Sequence, residues 1–371
     1  MGFKALLIAN RGEIAIRIAR AAADLGIRSV AIYSDDDATS LHTRIADEAF
    51  MLEGLGAPAY LDMDGVIAAA KATGCDAVHP GYGFLSEQAE FARRCREQDI
   101  AFIGPDERHL KLVGDKAAAR KAAVNAGVPV LRGIDKAVTV DEARAFHESL
   151  GDGAAIIIKA VAGGGGRGTS AVDDIAQLEE IFGRCQREAK AAFGIEDVYV
   201  EEFLPRARHV EVQILGDCQG GITHLWEREC SMQRRNQKVI EIAPAPDLSS
   251  QLRQDMIDAA ISFARQESYE SLGTFEFLVD QTDRDDAQPF VFIEANARLQ
   301  VEHTVTEEVT GVDLVQAQIQ LAGGKNLAEL DIEQPPQTTG YAIQARVNME
   351  TIDAEGKVRP GSGTLAAYDP P

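Results

Sequence analysis

Ile156-Ile157-Ile158-Lys159, followed after two residues by Ala162-Gly163-Gly164-Gly165-Gly166-Arg167-Gly168, is the stretch that decides the fold. The β-branched run reads as a strand. Four consecutive glycines lack Cβ atoms, so successive N–H groups can curl around phosphate oxygens. No Gly-Lys-Ser/Thr closes the run, so it is not a Walker A loop. The glycines alone also fit a hairpin turn, but Lys159 places a cation just before them, which favours a phosphate ligand.

Upstream, short apolar runs at 5–9, 29–33, 77–79 and 101–103 alternate with helical patterns at 14–25, 63–70 and 91–95. That rhythm predicts βα units and a parallel sheet. Asn10-Arg11-Gly12-Glu13 stands at the first strand-to-helix turn, where a dinucleotide fold would carry G-x-G-x-x-G, so a nicotinamide dehydrogenase is disfavoured. Two helices are expected at 115–126 and 140–150, around Gly127-Val128-Pro129-Val130. Downstream, strand patterns at 198–200, 209–215, 222–228, 239–242, 274–279, 290–294 and 341–347, with helices at 175–192, 256–266 and 313–321, predict a second, antiparallel unit.

The chain has 371 residues, enough for two or three packed units, and its 45% hydrophobic and 26% charged composition is that of a soluble globular protein. With 37 basic and 59 acidic residues the net charge is −22, which repels nucleic acid and anionic membranes, so an anionic ligand needs a local basic site. Five cysteines (75, 95, 185, 218 and 230) form no C-x-x-C pair and point to a reduced, cytoplasmic compartment. The apolar start MGFKALLIA is too short for an export signal or a membrane span.

Three segments carry candidate chemistry. Glu229-Cys230-Ser231-Met232-Gln233-Arg234-Arg235-Asn236-Gln237-Lys238, read as a polar loop, concentrates cations and directional amides and suits an oxyanion better than plain solvation. Glu276 and Glu294 lie on apolar strands and each must meet a cation or a proton; with Asn296 they form an oxygen-rich set suited to Mg²⁺. In Asn296-Ala297-Arg298-Leu299-Gln300-Val301-Glu302-His303, Arg298 can hold a planar oxyanion and Glu302 can take a proton beside it, with structural salt bridges as the competing reading. His79, His209 and His303 lack i, i+4 partners, so zinc is not expected.

Taken in order, Ala9-Asn10-Arg11-Gly12-Glu13-Ile14-Ala15, His79-Pro80-Gly81-Tyr82-Gly83-Phe84-Leu85-Ser86-Glu87, Gly114-Asp115-Lys116, the glycine loop, and the segments 230–238, 273–278 and 294–307 resemble the biotin carboxylase family of ATP-grasp enzymes over essentially the whole chain. The resemblance implies an N-terminal parallel βα domain over 1–112, a helical linker over 113–135, a lid over 136–203 and an incomplete antiparallel C-terminal domain over 204–371. It implies ATP-dependent carboxylation of carrier-bound biotin by bicarbonate through carboxyphosphate, within an acyl-CoA- or pyruvate-type carboxylase. Lys116, Lys159, His209, Gln233 and Asn236 would contact ATP, Gly165 and Gly166 would cover its phosphates, and Glu201, Glu202, Phe203 and Leu204 would form the adenine-side hinge. Glu276, Glu294 and Asn296 would carry Mg²⁺, with Mn²⁺ as an alternative; Lys238, Arg298, Gln300 and Val301 would hold bicarbonate. Glu302 would act as base, and Arg346 with Tyr82 would hold biotin.

The implied partners are a biotin carboxyl carrier domain and a carboxyltransferase, and a homodimer is among the implied assemblies. Nucleic acid and membrane are not expected as partners. Three residues depart from the family pattern: Glu202 in place of Lys, which puts a negative charge near the nucleotide, Asn236 in place of His, and Ala162, which shortens the glycine run. Relatives continue beyond Pro371, so a fragment of a longer polypeptide is expected, with a naturally shortened protein as the alternative. The alternatives are a catalytically impaired ATP-binding or assembly module and a carbamoyl-phosphate synthetase-like ligase.

Overall fold

The computed structural model describes residues 2–134, 136–151, 154–161, 168–172, 174–234, 237–281, 289–354, 357–361 and 367. The first sheet contains β1 (Ala5–Ile8), β2 (Arg28–Tyr33), β3 (Glu48–Met51), β4 (Ala77–His79) and β5 (Ala101–Phe102) in the order β3-β2-β1-β4-β5, parallel throughout, as the βα rhythm predicts. β1 is buried on both faces because helices cover each. Leu6 and Ile8 pack with Ile14 and Ile18 of the helix Gly12–Asp24, while Leu7 packs with Tyr60, Val66 and Phe91 on the other side. β3 is not among the strands expected from sequence; it is a four-residue edge strand whose side chains, Ala49 and Met51 included, are mostly exposed.

The second sheet, in the order β6-β9-β7-β8, is antiparallel and joins β6 (Gly133–Ile134), β7 (Ala155–Ala160), β8 (Thr169–Val172) and β9 (Val198–Phe203). Ile156, Ile158, Val198 and Val200 point to a core with Phe182 and Cys185 of the helix Leu178–Phe193. The period of two therefore turns Lys159 and Glu201 to the opposite face. A capping box, Thr139 with Glu142, starts the helix Val140–Ser149 that shares this core.

The third sheet runs β14-β13-β10-β11-β12-β15, from β10 (Ala207–Gly216), β11 (Ile222–Arg234), β12 (Gln237–Ala243), β13 (Ser271–Asp280), β14 (Phe290–Asn296) and β15 (Ala342–Ala345), all antiparallel. One face is apolar: Val210, Val212, Phe275, Phe277 and Phe292 pack under the helix Ser250–Gln266, with Phe263 5.1 Å from Phe275 centroid to centroid. The other face carries His209, Glu211, Gln213, Thr274 and Glu276, cross-strand in the β10–β13 register. A small hairpin, β16 (Glu350–Ile352) with β17 (Val358–Pro360), follows.

Residues 229–238 are not the polar loop that the sequence suggested. They form the end of β11 and the start of β12, paired Gln233 to Lys238 and Arg234 to Gln237, with 235 and 236 outside the described residues. Polar side chains facing the site leave no apolar run to mark these strands. The sequence also carries a short strand pattern at 364–367, of which 364–366 lie outside the described residues. The second and third sheets meet where the Phe292 N–H donates to the Pro129 carbonyl at 2.7 Å and Leu131, Leu204 and Val291 close a small apolar cluster.

Candidate functional site

The polar face of the third sheet holds alternating charges. Lys238 Nζ lies 2.6 Å from Glu211 Oε2, 2.7 Å from Glu302 Oε1 and 3.2 Å from Glu276 Oε1. Glu302, at the start of the helix His303–Thr310, accepts on its other oxygen from Arg346 at 3.1 Å, and Arg346 also reaches Glu241. Behind Glu211 sits Arg228, fully buried, which pairs with Glu211 and donates to Gln213 Oε1 at 2.8 Å, Thr306 Oγ1 at 2.9 Å and Thr274 Oγ1 at 3.2 Å. Buried charges persist only when so paired.

Each shift has a visible cause. Burial presses Lys238 toward its neutral form, but Glu211, Glu276 and Glu302 outweigh it and hold its pKa above the lysine value. Burial likewise opposes ionisation of Glu211, yet Arg228 and Lys238 hold its carboxyl well below the usual range. For Glu276 burial is overcome by the hydrogen bond from His209 and by Lys238, so its pKa falls; the same contact, against burial, raises that of His209. Glu241 is pushed up, burial outweighing Arg346.

His209 Nε2 is 2.6 Å from Glu276 Oε2, and Gln233 Nε2 is 2.7 Å from His209 Nδ1. Asn296 Nδ2 donates to Glu276 Oε1 at 2.8 Å. Arg298 donates to Gln300 Oε1 at 3.0 Å and reaches Glu87 of the first unit at 3.0 Å. Val301 follows Gln300 in the same turn, and Tyr82 packs against the cluster containing Leu299. Next to Arg346, an open groove of 620 Å³ is lined by Ser231, Gln233, Arg234, Ile240 and Asn348.

Glu276 stands opposite Glu294, and Thr274 opposite Asn296, in the β13–β14 register. Both carboxylates thus share a face with the Asn296 carboxamide, and Lys116 Nζ lies 3.4 Å from Glu294 Oε2. This all-oxygen set fits a small hard cation such as Mg²⁺.

On the second sheet Lys159 forms an ion pair with Glu201. Glu202 points the other way and is 6% exposed; Arg132 grips it bidentately at 2.8 and 3.0 Å. Its charge is thus met by the Arg132 guanidinium. Phe203 ends β9, and Leu204 joins the small apolar cluster with Leu131 and Val291. Gly165, Gly166 and Asn236 lie outside the described residues.

Sequence reading missed Glu211, Arg228, Glu241 and Glu87. The first two carried a signal: Glu211 alternates with Val210 and Val212, and Arg228 ends the alternating run 222–228, so a charge on the polar face of each strand was legible. All five cysteines are free, four of them buried, and among the described residues no helix is long and apolar enough to cross a membrane.

Comparison with known proteins follows the same division. Residues 2–110 match the family described as biotin carboxylase, N-terminal domain, and residues 115–330 match carbamoyl-phosphate synthase L chain, ATP binding domain. Pyruvate carboxylase 1 of Caenorhabditis elegans is 50% identical over 371 residues, covering 99% of this chain but 31% of that protein. The chain therefore spans about a third of the length of the curated relatives it matches. Biotin carboxylase from Campylobacter jejuni, solved in complex with β,γ-ATP, superposes with a TM-score of 0.90 at 38% identity, covering 100% of this chain and 80% of that one. The biotin carboxylase domain dimer of Hydrogenobacter thermophilus 2-oxoglutarate carboxylase, solved with MgADP, ADP and bicarbonate, gives 0.85 at 40% identity, covering 94% and 76%.

Proposed function

This chain belongs to the biotin carboxylase family of ATP-grasp enzymes, and from that premise we propose that it carries out the ATP-dependent carboxylation of carrier-bound biotin by bicarbonate. The observation that carries the reading is the Lys238 ammonium held by Glu211, Glu276 and Glu302 on one sheet face, with Arg298 and Arg346 on either side. In a protein of net charge −22 this gathers three cations, Lys238, Arg298 and Arg346, in one place, which supports binding of a small anion there.

Bicarbonate takes its place on Lys238 and Arg298, with Gln300 and the Val301 backbone orienting it. Glu302 accepts its proton, the freed oxygen attacks the γ-phosphorus of ATP, and ADP leaves. The carboxyphosphate formed passes its carboxyl group to the ureido nitrogen of biotin, and the phosphate released takes the proton that this nitrogen loses. Arg346, with Tyr82, holds the ureido oxygen as charge develops there, and the groove beside Arg346 receives the ring. Lys116, Lys159, His209, Gln233 and Asn236 hold the nucleotide under the glycine loop with Gly165 and Gly166, against the hinge from Glu201 to Leu204. Glu276, Glu294 and Asn296 would hold Mg²⁺ or Mn²⁺, which when bound neutralises phosphate charge.

The division of labour follows the proposed units, 1–112, 113–135, 136–203 and 204–371. A carrier domain and a carboxyltransferase are the partners, and a cytoplasmic location accords with the free cysteines. The test is ADP formation from Mg-ATP and bicarbonate with and without free biotin. Biotin-stimulated turnover is expected; ATP binding without turnover, or ammonia-dependent turnover indifferent to biotin, would overturn the reading.

A further inference from the structure

Asn10 has no part in the chemistry above, yet it is 3% exposed and every hydrogen-bonding atom of its carboxamide is engaged. It lies just beyond β1. In the order β3-β2-β1-β4-β5 the chain leaves β1 toward β2 and returns on its other side at β4, so the crevice beyond β1 and β4 is the switch point where open parallel sheets place ligands. Asn10 spans that crevice. Its Nδ2 donates to the carbonyls of Pro80 and Tyr82, both at 2.8 Å, and its Oδ1 accepts the Arg11 N–H at 2.9 Å.

The loop it holds is otherwise poorly suited to keep its shape. Gly81, Gly83 and Phe84 all have positive φ (63°, 66° and 39°). A Cβ on Gly81 would sit 3.0 Å from Asn10 Nδ2 and from Ile14 Cγ1, so loop and carboxamide are fitted to each other. From below, the Gly81 N–H donates to Nδ1 of buried His79 at 3.0 Å. The loop leads from Tyr82 to Glu87, which meets Arg298.

We propose that Asn10 is a positioning residue: by tying 80–82 to the end of β1 it sets Tyr82 and Glu87 against the Arg298 side of the site, and so tunes the acceptor half-reaction without touching substrate. The inference rests on the carboxylase reading above for its kinetic part only.

The test uses the full chain with Asn10→Ala, and Gly81→Ala as an independent disturbance of the same fit. Two readouts are made: steady-state kinetics with free biotin and ATP varied separately, and hydrogen exchange of peptides covering 79–88. Loss of two buried hydrogen bonds predicts a biotin KM raised on the order of tenfold, an ATP KM changed less than about twofold, and faster exchange confined to 80–86. Adding Asn10→Ala to Tyr82→Ala should then cost less than about twofold more, since both act through one loop. Equal rises in both KM values, additive losses with Tyr82→Ala, or wild-type exchange with unchanged biotin KM would overturn the proposal. Should the unaltered chain not respond to biotin, the carboxylase reading and the kinetic role of Asn10 both fall. Exchange at 80–86 separates that outcome from a failed tie.

Discussion

Replacing Arg228 by Met tests the central electrostatic argument. Arg228 is fully buried, as is Glu211, and its guanidinium reaches four side chains on two strands and a helix. Burial opposes its charge, but Glu211 and Glu302 hold its pKa above the usual arginine value. Methionine fills much of the space yet leaves Glu211 with Lys238 alone and strips Gln213, Thr274 and Thr306 of their donor. Removing one member of a buried pair costs about 3–5 kcal/mol, a large part of the roughly 5–15 kcal/mol that holds a domain together.

The chain has one tryptophan, Trp226, two residues from Arg228 on β11, with its indole N–H donating to the Pro336 carbonyl at 2.7 Å. Its fluorescence therefore reports unfolding of the third sheet. With a urea slope of about 2–3 kcal/mol/M, Arg228→Met should lower the midpoint by roughly 1–2 M. Adding Glu211→Gln should recover part of that loss, because the orphaned carboxylate is then neutral. A midpoint shift worth less than about 1 kcal/mol, or strictly additive losses in the double variant, would refute the claim that the pair is held by mutual compensation.

Acid should destabilise the fold from near pH 6.5 downward. Burial, chiefly, lowers the pKa of His79 to about 3 and of His303 to about 4, so below 6.5 the unfolded chain takes up protons that the folded one refuses. Stability present above 6.5 is lost as pH falls, by ~2 kcal/mol per histidine at pH 5. Urea midpoints at pH 7 and 5 measure it, and His79→Asn, which keeps an acceptor for the Gly81 N–H, should remove the ~2 kcal/mol share of that one histidine; an unchanged pH dependence would refute the assignment. Lys238→Met leaves Glu211, Glu276 and Glu302 facing one another without their common cation. Bicarbonate-dependent ADP formation should fall by at least about 10²-fold, and a smaller loss would contradict an anion site at Lys238. Arg346→Gln should abolish stimulation by biotin while calorimetric ATP binding persists, and retained stimulation would remove Arg346 from the acceptor site.

Local periodicity carried much of the fold. The apolar run of β1 and the Ile14, Ile18 spacing after it can be read without coordinates, because burial on both faces of a parallel strand and on one stripe of a helix writes itself into neighbouring residues. The candidate site residues were named from short motifs rather than from periodicity: Arg298, Gln300 and Glu302 lie within one segment, and Lys159 stands four residues before the first glycine of the loop. β3 and the strand ends over 229–238 were not: β3 is a four-residue edge strand, and a polar sheet face leaves no apolar period. Nor was the pairing of charges. Lys238 meets Glu302 across 64 positions and Arg346 meets Glu241 across 105, while Glu211 faces Glu276 only because β10 and β13 adopt one register. A shift of that register by one residue would send these carboxylates into the phenylalanine core. The residue types that do the chemistry are thus written along the chain, whereas which cation each carboxylate answers, and that Glu202 answers Arg132, is decided by strand register and burial.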